Sequence, residues 1–127
     1  SSLPLRLQAY ERLSLFCERI SLPNLLLRVR KPGMSNGELR VSLLLAVQQE
    51  YEHNITQQVY VSSQLWEIIK FARDESVNAI SIIAEKTDTK SDAKELAGML
   101  FNYVNQQEVM AVEKALLAIK KEAATRL

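Results

Sequence analysis

Apolar residues recur every three or four positions along most of this chain, the spacing that places side chains on one face of an α-helix. The clearest example is the stretch 62–86, in which an apolar stripe runs opposite a polar stripe. The apolar stripe contains Leu65, Ile69, Ala72, Ser76, Ile80 and Ile83, and the polar stripe contains Glu67, Lys70, Asp74, Asn78, Ser81 and Glu85. This pattern predicts a long helix that is capped at its start by Ser62 or Ser63.

A second long helix is predicted shortly before the first. Ser35 and Glu38 have the spacing of a capping box, in which each side chain accepts a hydrogen bond from the backbone N–H of the other residue. The helix is expected to run to about His53, with Leu39, Leu43, Ala46, Val47 and Tyr51 on its apolar stripe. Residues 54–61 then break the helical spacing and are rich in β-branched side chains, so they are predicted to form an extended connector between the two long helices.

The N-terminal part of the chain is predicted to form a helix over residues 3–20 and a shorter helix over residues 24–30. Pro4 suits a first helical turn, and the first helix is apolar on more than one side, which is typical of a central helix or of one with a partner on its second face. Ser21 can cap the second helix. A strand is the alternative for residues 24–30, because apolar residues also alternate there, but no other segment offers that strand a partner.

The C-terminal part is predicted to add two helices. A polar turn at residues 87–90 precedes a helix capped by Ser91 or Asp92, and a joint at residues 105–107 precedes a last helix over about 108–124. The fold class is therefore all-α, a compact bundle of five or six helices with two long central ones. A length of 127 residues, of which 47% are apolar and 24% charged, suits one globular domain over residues 1–127.

Charge and cysteine content exclude several classes of function. The chain has 16 basic and 15 acidic residues, so it lacks the basic excess of a dedicated nucleic-acid binder, and no nucleic acid is expected as a partner. Arg28, Arg30 and Lys31 form its one dense basic run, which is either a contact for acidic headgroups or an acidic partner, or a solvated helix end. Cys17 is the single cysteine, so no internal disulfide can form.

Candidate chemistry is sparse. Glu50 and His53 are three residues apart on a predicted helix, so they share a face and are weak candidates for metal ligands. Since His53 is the single histidine, the second motif of a di-iron bundle is missing, and a helix-terminal role for His53 is the simpler interpretation. Cys17 lies among apolar residues and is expected to be a buried hydrophobe. No catalytic set and no cofactor is predicted.

Two aromatic residues, Tyr60 and Trp66, flank the predicted connector. They are candidates for an exposed contact patch, together with His53, although a core anchor is the more common role for an aromatic residue at the start of a helix. The connector is thus the region where a functional surface is expected.

Four stretches of the chain carry a resemblance to a known family. They are LPLRLQAYERL at 3–13, GMSNGELRVSLL at 33–44, QEYEHNITQQVYVSSQLWEIIKFA at 49–72 and VEKALLAIKKE at 112–122. Together they resemble a family of uncharacterised, small, membrane-anchored helical proteins from Bacteroidetes-type bacteria, and residues 87–107 match it least. The resemblance implies a cytoplasmic helical domain behind a short N-terminal membrane helix, and it supplies no catalytic residues.

The leading expectation is therefore a non-enzymatic, soluble helical domain of a membrane-tethered protein, at the cytoplasmic face of the inner membrane, with its anchor outside this sequence. It is expected to act through a protein partner or as a homo-oligomer. The alternative is a metal-binding helical bundle that uses Glu50 and His53. Nucleic-acid binding through the basic run is a third and weaker hypothesis.

Overall fold

Six α-helices and one 3₁₀ helix make up the fold in a computed structural model that describes residues 2–126. The α-helices are α1 (Leu3–Ile20), α2 (Leu22–Val29), α3 (Asn36–Asn54), α4 (Ser63–Ala84), α5 (Lys94–Gln106) and α6 (Ala111–Arg126). Over the described residues the structure has no named strand, and one isolated bridge pairs Ser35 with Asp92. The all-α prediction and the predicted number of helices are confirmed.

The connector between the two long helices, α3 and α4, is a 3₁₀ helix over Ile55–Tyr60, so the prediction of an extended segment is wrong. An extended backbone needs a neighbouring strand to take up its hydrogen bonds, whereas a 3₁₀ turn makes them within itself. The β-branched Val59 is 76% exposed, so its side chain gains no packing that would favour an extended backbone. The result is a compact connector.

The two predicted caps of the long helices are confirmed. The Ser35 hydroxyl accepts from the Glu38 N–H at 3.1 Å, and the Glu38 carboxylate accepts from the Ser35 N–H at 3.0 Å. At the start of α4 the Ser62 hydroxyl accepts from the Leu65 N–H at 3.1 Å. Caps of this kind depend on residues three apart, which is why the sequence alone reveals them.

Three of the other helix starts differ from the prediction. The second helix begins at Leu22, two residues earlier than predicted, and the strand alternative for this segment is wrong. Ser21 directly precedes this helix but does not cap it, because the Ser21 hydroxyl donates to the Glu18 carbonyl. The residue that directly precedes α5 is Ala93, whose side chain cannot accept a hydrogen bond, and not Ser91 or Asp92 as predicted. The Asp92 carboxylate nevertheless accepts from the Lys94 N–H at 2.8 Å. The last helix begins at Ala111, three residues late.

The core forms around α1, which contacts α2, α3, α4, α6 and the connector. All six residues of the predicted apolar stripe of α4 are buried, as predicted. The largest fully buried side chains are Phe16, Leu13, Ile20, Leu22, Leu25, Leu39, Leu43, Ile69, Ile80, Leu96 and Leu100. Ser76, a polar member of the α4 stripe, is accommodated because its hydroxyl donates to the Ile20 carbonyl at 2.9 Å.

A buried amide fastens the loop before α5 to the start of α3. The Asn36 side chain is almost fully buried, and its Nδ2 donates to the Asp88 carbonyl and to the Glu95 carboxylate, each at 2.9 Å. Its Oδ1 accepts from the Leu96 N–H at 3.1 Å, so a residue of α3 satisfies a backbone donor in the first turn of α5.

Candidate functional site

Glu50, one of the two weak candidates for a metal ligand, forms ion pairs with two arginines. Its carboxylate lies 2.5 Å from Arg19 Nε and 3.7 Å from an Arg28 guanidinium nitrogen, and the Arg28 guanidinium also donates to the Arg19 carbonyl at 2.6 Å. Burial lowers the pKa of Arg28 and the nearby Arg19 cation lowers it further, while Glu50 acts in the opposite direction. This cluster therefore ties α1, α2 and α3 together.

His53, the other candidate, is exposed at the end of α3 and lines the same cleft as Glu50. Its backbone carbonyl accepts a hydrogen bond from Arg12 at 2.5 Å. No group of three or more His, Cys, Asp and Glu side chains in the described part of the chain is arranged to hold a metal ion. Glu50 Oε1 is paired with two guanidinium groups, so the contacts of Glu50 give the metal-binding alternative no support.

Trp66 is buried, so it cannot belong to an exposed contact patch, and that interpretation is wrong for this residue. It is 7% exposed, and its ring stacks on Tyr51 with the centroids 5.9 Å apart. The Arg73 guanidinium lies 4.2 Å from the centroid of the Tyr51 ring. The Phe16 ring also packs against Tyr51, with the two ring centroids 6.3 Å apart. Trp66 is a core anchor, while Tyr60 is half-buried at the end of the connector.

The basic run does not form one patch. Arg28 turns toward Glu50, whereas Arg30 and Lys31 are exposed and line a different cleft, together with Lys94 of α5. The structure thus separates the predicted contact residues into the end of α3, the core and the α2–α5 side. It does not bring them together as one surface.

Cys17 is fully buried in α1, as predicted for a small hydrophobe. Burial, with a smaller contribution from Glu18, raises the pKa of its thiol to about 12. A thiol with this pKa stays protonated near neutral pH and is a poor nucleophile.

Sequence reasoning missed a polar cluster around Glu122 of α6. The Glu122 carboxylate accepts from the Tyr10 hydroxyl at 3.0 Å, from the Ser62 N–H at 3.1 Å and from the Ser62 hydroxyl, and Arg126 lies 3.4 Å away. Burial alone would raise the pKa of Glu122, but the hydrogen bonds from Ser62 and Tyr10 and the Arg126 charge outweigh it and lower that pKa. In a capping box, a glutamate within the helix accepts the hydrogen bond from the N–H of the capping residue. Here Glu122, from another helix, accepts that hydrogen bond from the N–H of Ser62, which caps α4.

A second carboxylate acts in the opposite direction between the same two helices. Glu75 of α4 accepts from the Ala111 N–H at the start of α6, at 2.9 Å. Each of the two helices thus supplies a carboxylate to the N-terminus of the other, which requires them to run antiparallel. These two hydrogen bonds lie at opposite ends of the α4–α6 contact and fix how the helices are aligned along their axes.

Between these two carboxylates, α4 and α6 expose apolar side chains along their common edge. We call this surface the α4/α6 strip; it consists of Ile68 and Phe71 of α4 and Ala118 of α6. Phe71 is 66% exposed, while Ile68 and Ala118 are half-buried. One shallow depression is shared by Ile68, Phe71, Ala111 and Lys114, and another, of about 470 Å³, lies beside Glu122.

The sequence did contain a signal for the strip. Phe71 is a large apolar residue that falls outside the apolar stripe of its predicted helix. By contrast, nothing local to Glu122 indicates its role, because Ser62 and Tyr10 are 60 and 112 residues away from it in the sequence.

Comparison with protein families places the sequence. Residues 1–126 match the model of DUF7935. The chain belongs to DUF7935, a family of unknown function. Comparisons with curated proteins and with solved structures found no match. Among the described residues of this DUF7935 chain, no helix has the length and apolar character needed to cross a membrane.

The polar clusters of this DUF7935 chain have a structural role. Glu50, Glu75 and Glu122 are each engaged by donors from another helix or its cap, so their interactions fasten the bundle. The pKa of Tyr10 is raised by burial and by its hydrogen bond to Glu122, which keeps its hydroxyl a donor near neutral pH. The α4/α6 strip is the exposed apolar surface that lies between the Glu75 and Glu122 contacts.

Proposed function

We propose that this chain is a non-enzymatic helical domain that acts through protein–protein contacts made by the α4/α6 strip. The observation that carries the proposal is the exposure of Phe71, which is 66% accessible and shares one surface depression with the half-buried Ile68. Large apolar side chains that are grouped on a surface, rather than scattered, mark interaction sites.

The rigidity of the supporting helices favours the same proposal. Glu122 and Glu75 fix the alignment of α4 and α6 at both ends of the strip. A surface that is already held in its binding shape loses less conformational entropy when a partner binds. The strip is therefore a prepared binding surface of the kind that protein contacts use.

The proposal also includes the cytoplasmic location and the membrane tether, which rest on the resemblance described above. Fractionation of cells that carry the natural gene tests this part. The protein is expected in the membrane fraction and is expected to resist extraction at high pH. Recovery in the soluble fraction alone would refute the tether.

Site-specific photo-crosslinking in cells tests the contact surface. A photoreactive amino acid replaces Phe71 in one sample and Val41 in another; Val41 is similarly exposed, at 62%, but lies on α3. A crosslinked product is expected from position 71 and not from position 41. If position 71 gives no more product than position 41, the strip is not a contact surface and the proposal fails.

A further inference from the structure

We infer that the α4/α6 strip binds a second copy of this chain, forming a two-fold symmetric dimer. The inference rests on the proposed function, since it names the occupant of the same surface. It comes from the charges that border the strip, which are arranged so that the surface is complementary to itself.

An acidic row borders the strip on the α4 side. Glu67 and Asp74 are seven residues apart, so they lie on one face of the helix, and their side chains are 70% and 55% exposed. They flank Phe71 in the sequence, four residues before it and three after it. Ile68 and Glu75 mark the side of α4 that faces α6, so the acidic row lies on the far side of Phe71 from α6.

A basic row borders the strip on the α6 side. Lys114 and Lys121 are also seven residues apart, so they lie on one face of α6, and both are exposed. Lys114 contributes to the depression that holds Phe71, and Lys121 contributes to the one beside Glu122. Across the surface, the order is therefore acidic row, apolar strip, basic row.

Symmetry makes this order self-complementary in one orientation. A two-fold axis parallel to the helices places α4 of one copy opposite α6 of its partner, so each acidic row meets a basic row and the apolar strips face each other. An axis perpendicular to the helices would place acidic row on acidic row and basic row on basic row. Charge complementarity thus selects the first arrangement, an antiparallel four-helix contact.

Charged neighbours of the acidic row weaken the attraction without removing it. Lys70 lies 2.9 Å from Glu67, and Arg73 lies 2.8 Å from Asp74. The Glu67 and Asp74 carboxylates are themselves well exposed, so these pairs contribute little energy, although Arg73 is also held against the Tyr51 ring. The net charge of the row is reduced, so the rows are expected to set the orientation of the dimer and the apolar strip to supply most of its affinity.

The size of the strip predicts a weak dimer. It runs between the Ser62–Glu122 and Glu75–Ala111 hydrogen bonds, about 20 Å along α4, and is about two helix diameters wide. The footprint is then on the order of 400 Å² in projection on each copy, about half the standard area per partner and within the range of weak, transient contacts. We expect a dissociation constant of about 10–100 μM.

Sedimentation equilibrium with exchanged charges tests the inference. The variants Lys114→Glu/Lys121→Glu and Glu67→Lys/Asp74→Lys each place like charges opposite each other, so each is expected to self-associate at least about 10-fold more weakly than the wild type. In an equimolar mixture every row meets its opposite again, and a heterodimer of about wild-type affinity is expected. A mixture that associates no better than either variant alone would overturn the inference, as would a wild-type chain that stays monomeric at about 1 mM.

Matched variants show whether dimerisation depends on the α4/α6 strip or on exposed apolar side chains in general. Phe71→Ser is expected to abolish the dimer, whereas Val41→Ser, at a similarly exposed position outside the strip, is expected to leave the dissociation constant unchanged. Far-UV circular dichroism and thermal unfolding verify that both variants fold. Equal weakening by both substitutions would contradict a role for the strip.

The crosslinking experiment distinguishes failure of the inference from failure of the proposed function. A product between position 71 and a second copy of the chain supports both. A product with a different protein, combined with a monomer in the centrifuge, refutes the dimer and leaves the contact surface standing. No product from position 71 refutes both.

Discussion

Replacing Glu122 by alanine is expected to destabilise the fold where α1, α4 and α6 meet. The substitution leaves the Ser62 N–H and the Tyr10 hydroxyl without their acceptor, and Tyr10 is 3% exposed, so water cannot readily take its place. A hydrogen bond to a charged group contributes about 1.5–3 kcal/mol. Because the bonds share one carboxylate and are not additive, we expect the free energy of unfolding to fall by about 2–4 kcal/mol.

Glutamine at the same position separates charge from hydrogen bonding. The Glu122→Gln side chain keeps an oxygen that can accept from the Ser62 N–H but loses the negative charge, so its expected cost is smaller, about 1–2 kcal/mol. Glu11→Ala, at an exposed carboxylate of α1, is the control for removing a glutamate as such. It is expected to change the free energy of unfolding by less than about 0.5 kcal/mol.

The cost of the Gln substitution should depend on pH. The pKa of Glu122 is lowered in the folded protein, below its value of about 4.3 in an unfolded chain. The folded state therefore binds this proton less readily than the unfolded state, and the stabilisation is complete above the unfolded pKa and lost as the pH falls through the folded pKa. The difference between wild type and Glu122→Gln should be constant from neutral pH to about pH 5 and should shrink below it.

Urea unfolding followed by circular dichroism measures the free energy of unfolding of the wild type and of the Glu122→Ala, Glu122→Gln and Glu11→Ala variants. Repeating it between about pH 7 and pH 3 gives the pH dependence. An alanine variant within about 0.5 kcal/mol of the wild type at neutral pH would refute the structural role of the cluster. A difference between wild type and Glu122→Gln that does not change with pH would refute the lowered pKa.

Three further substitutions probe the backbone and the buried amide. A Cβ added at Gly33 or at Gly98 meets no atom within 4 Å, so the backbone conformation decides the effect of alanine at each position. Gly33 has φ of 84°, so Gly33→Ala should lower the free energy of unfolding by about 1 kcal/mol, whereas Gly98 lies inside α5, so Gly98→Ala should raise it by up to about 1 kcal/mol. A change of the same sign for both variants in urea unfolding would contradict this. Asn36→Ala should cost about 2–4 kcal/mol, because it leaves the Leu96 N–H and the Asp88 carbonyl without their partner. Hydrogen exchange at the Leu96 amide should speed up, and an unchanged rate would argue against its capping by Asn36.

The parts of the fold that the sequence predicts are those that depend on neighbours within one or two helical turns. The apolar stripe of α4 follows from a period of 3.6 residues, and the caps at Ser35 and Ser62 follow from side chains that reach a backbone N–H three residues away. Such features need no knowledge of the tertiary structure, and the structure places them as predicted.

The parts that could not be predicted depend on residues far apart in the sequence. Glu75 assists the start of α6 at Ala111, and no pattern within residues 105–112 indicates that a carboxylate from α4 lies there. The connector differs from its prediction because β-branched residues favour an extended backbone only where their side chains pack, and Val59 faces solvent. Composition ranks local conformations weakly when burial does not decide between them.

The alignment of α4 and α6 connects the stability of the fold to its proposed interface. The strip and its charged rows combine residues from both helices, so a slide of one helix along the other by a single turn, about 5.4 Å, would shift Lys114 and Lys121 relative to Glu67 and Asp74. The carboxylates at the two ends oppose such a slide, because either direction breaks a hydrogen bond to a helix start. The capping carboxylates therefore do more than stabilise the bundle: they keep the basic row of α6 at one fixed level relative to the acidic row of α4, which the proposed contact with a second copy requires.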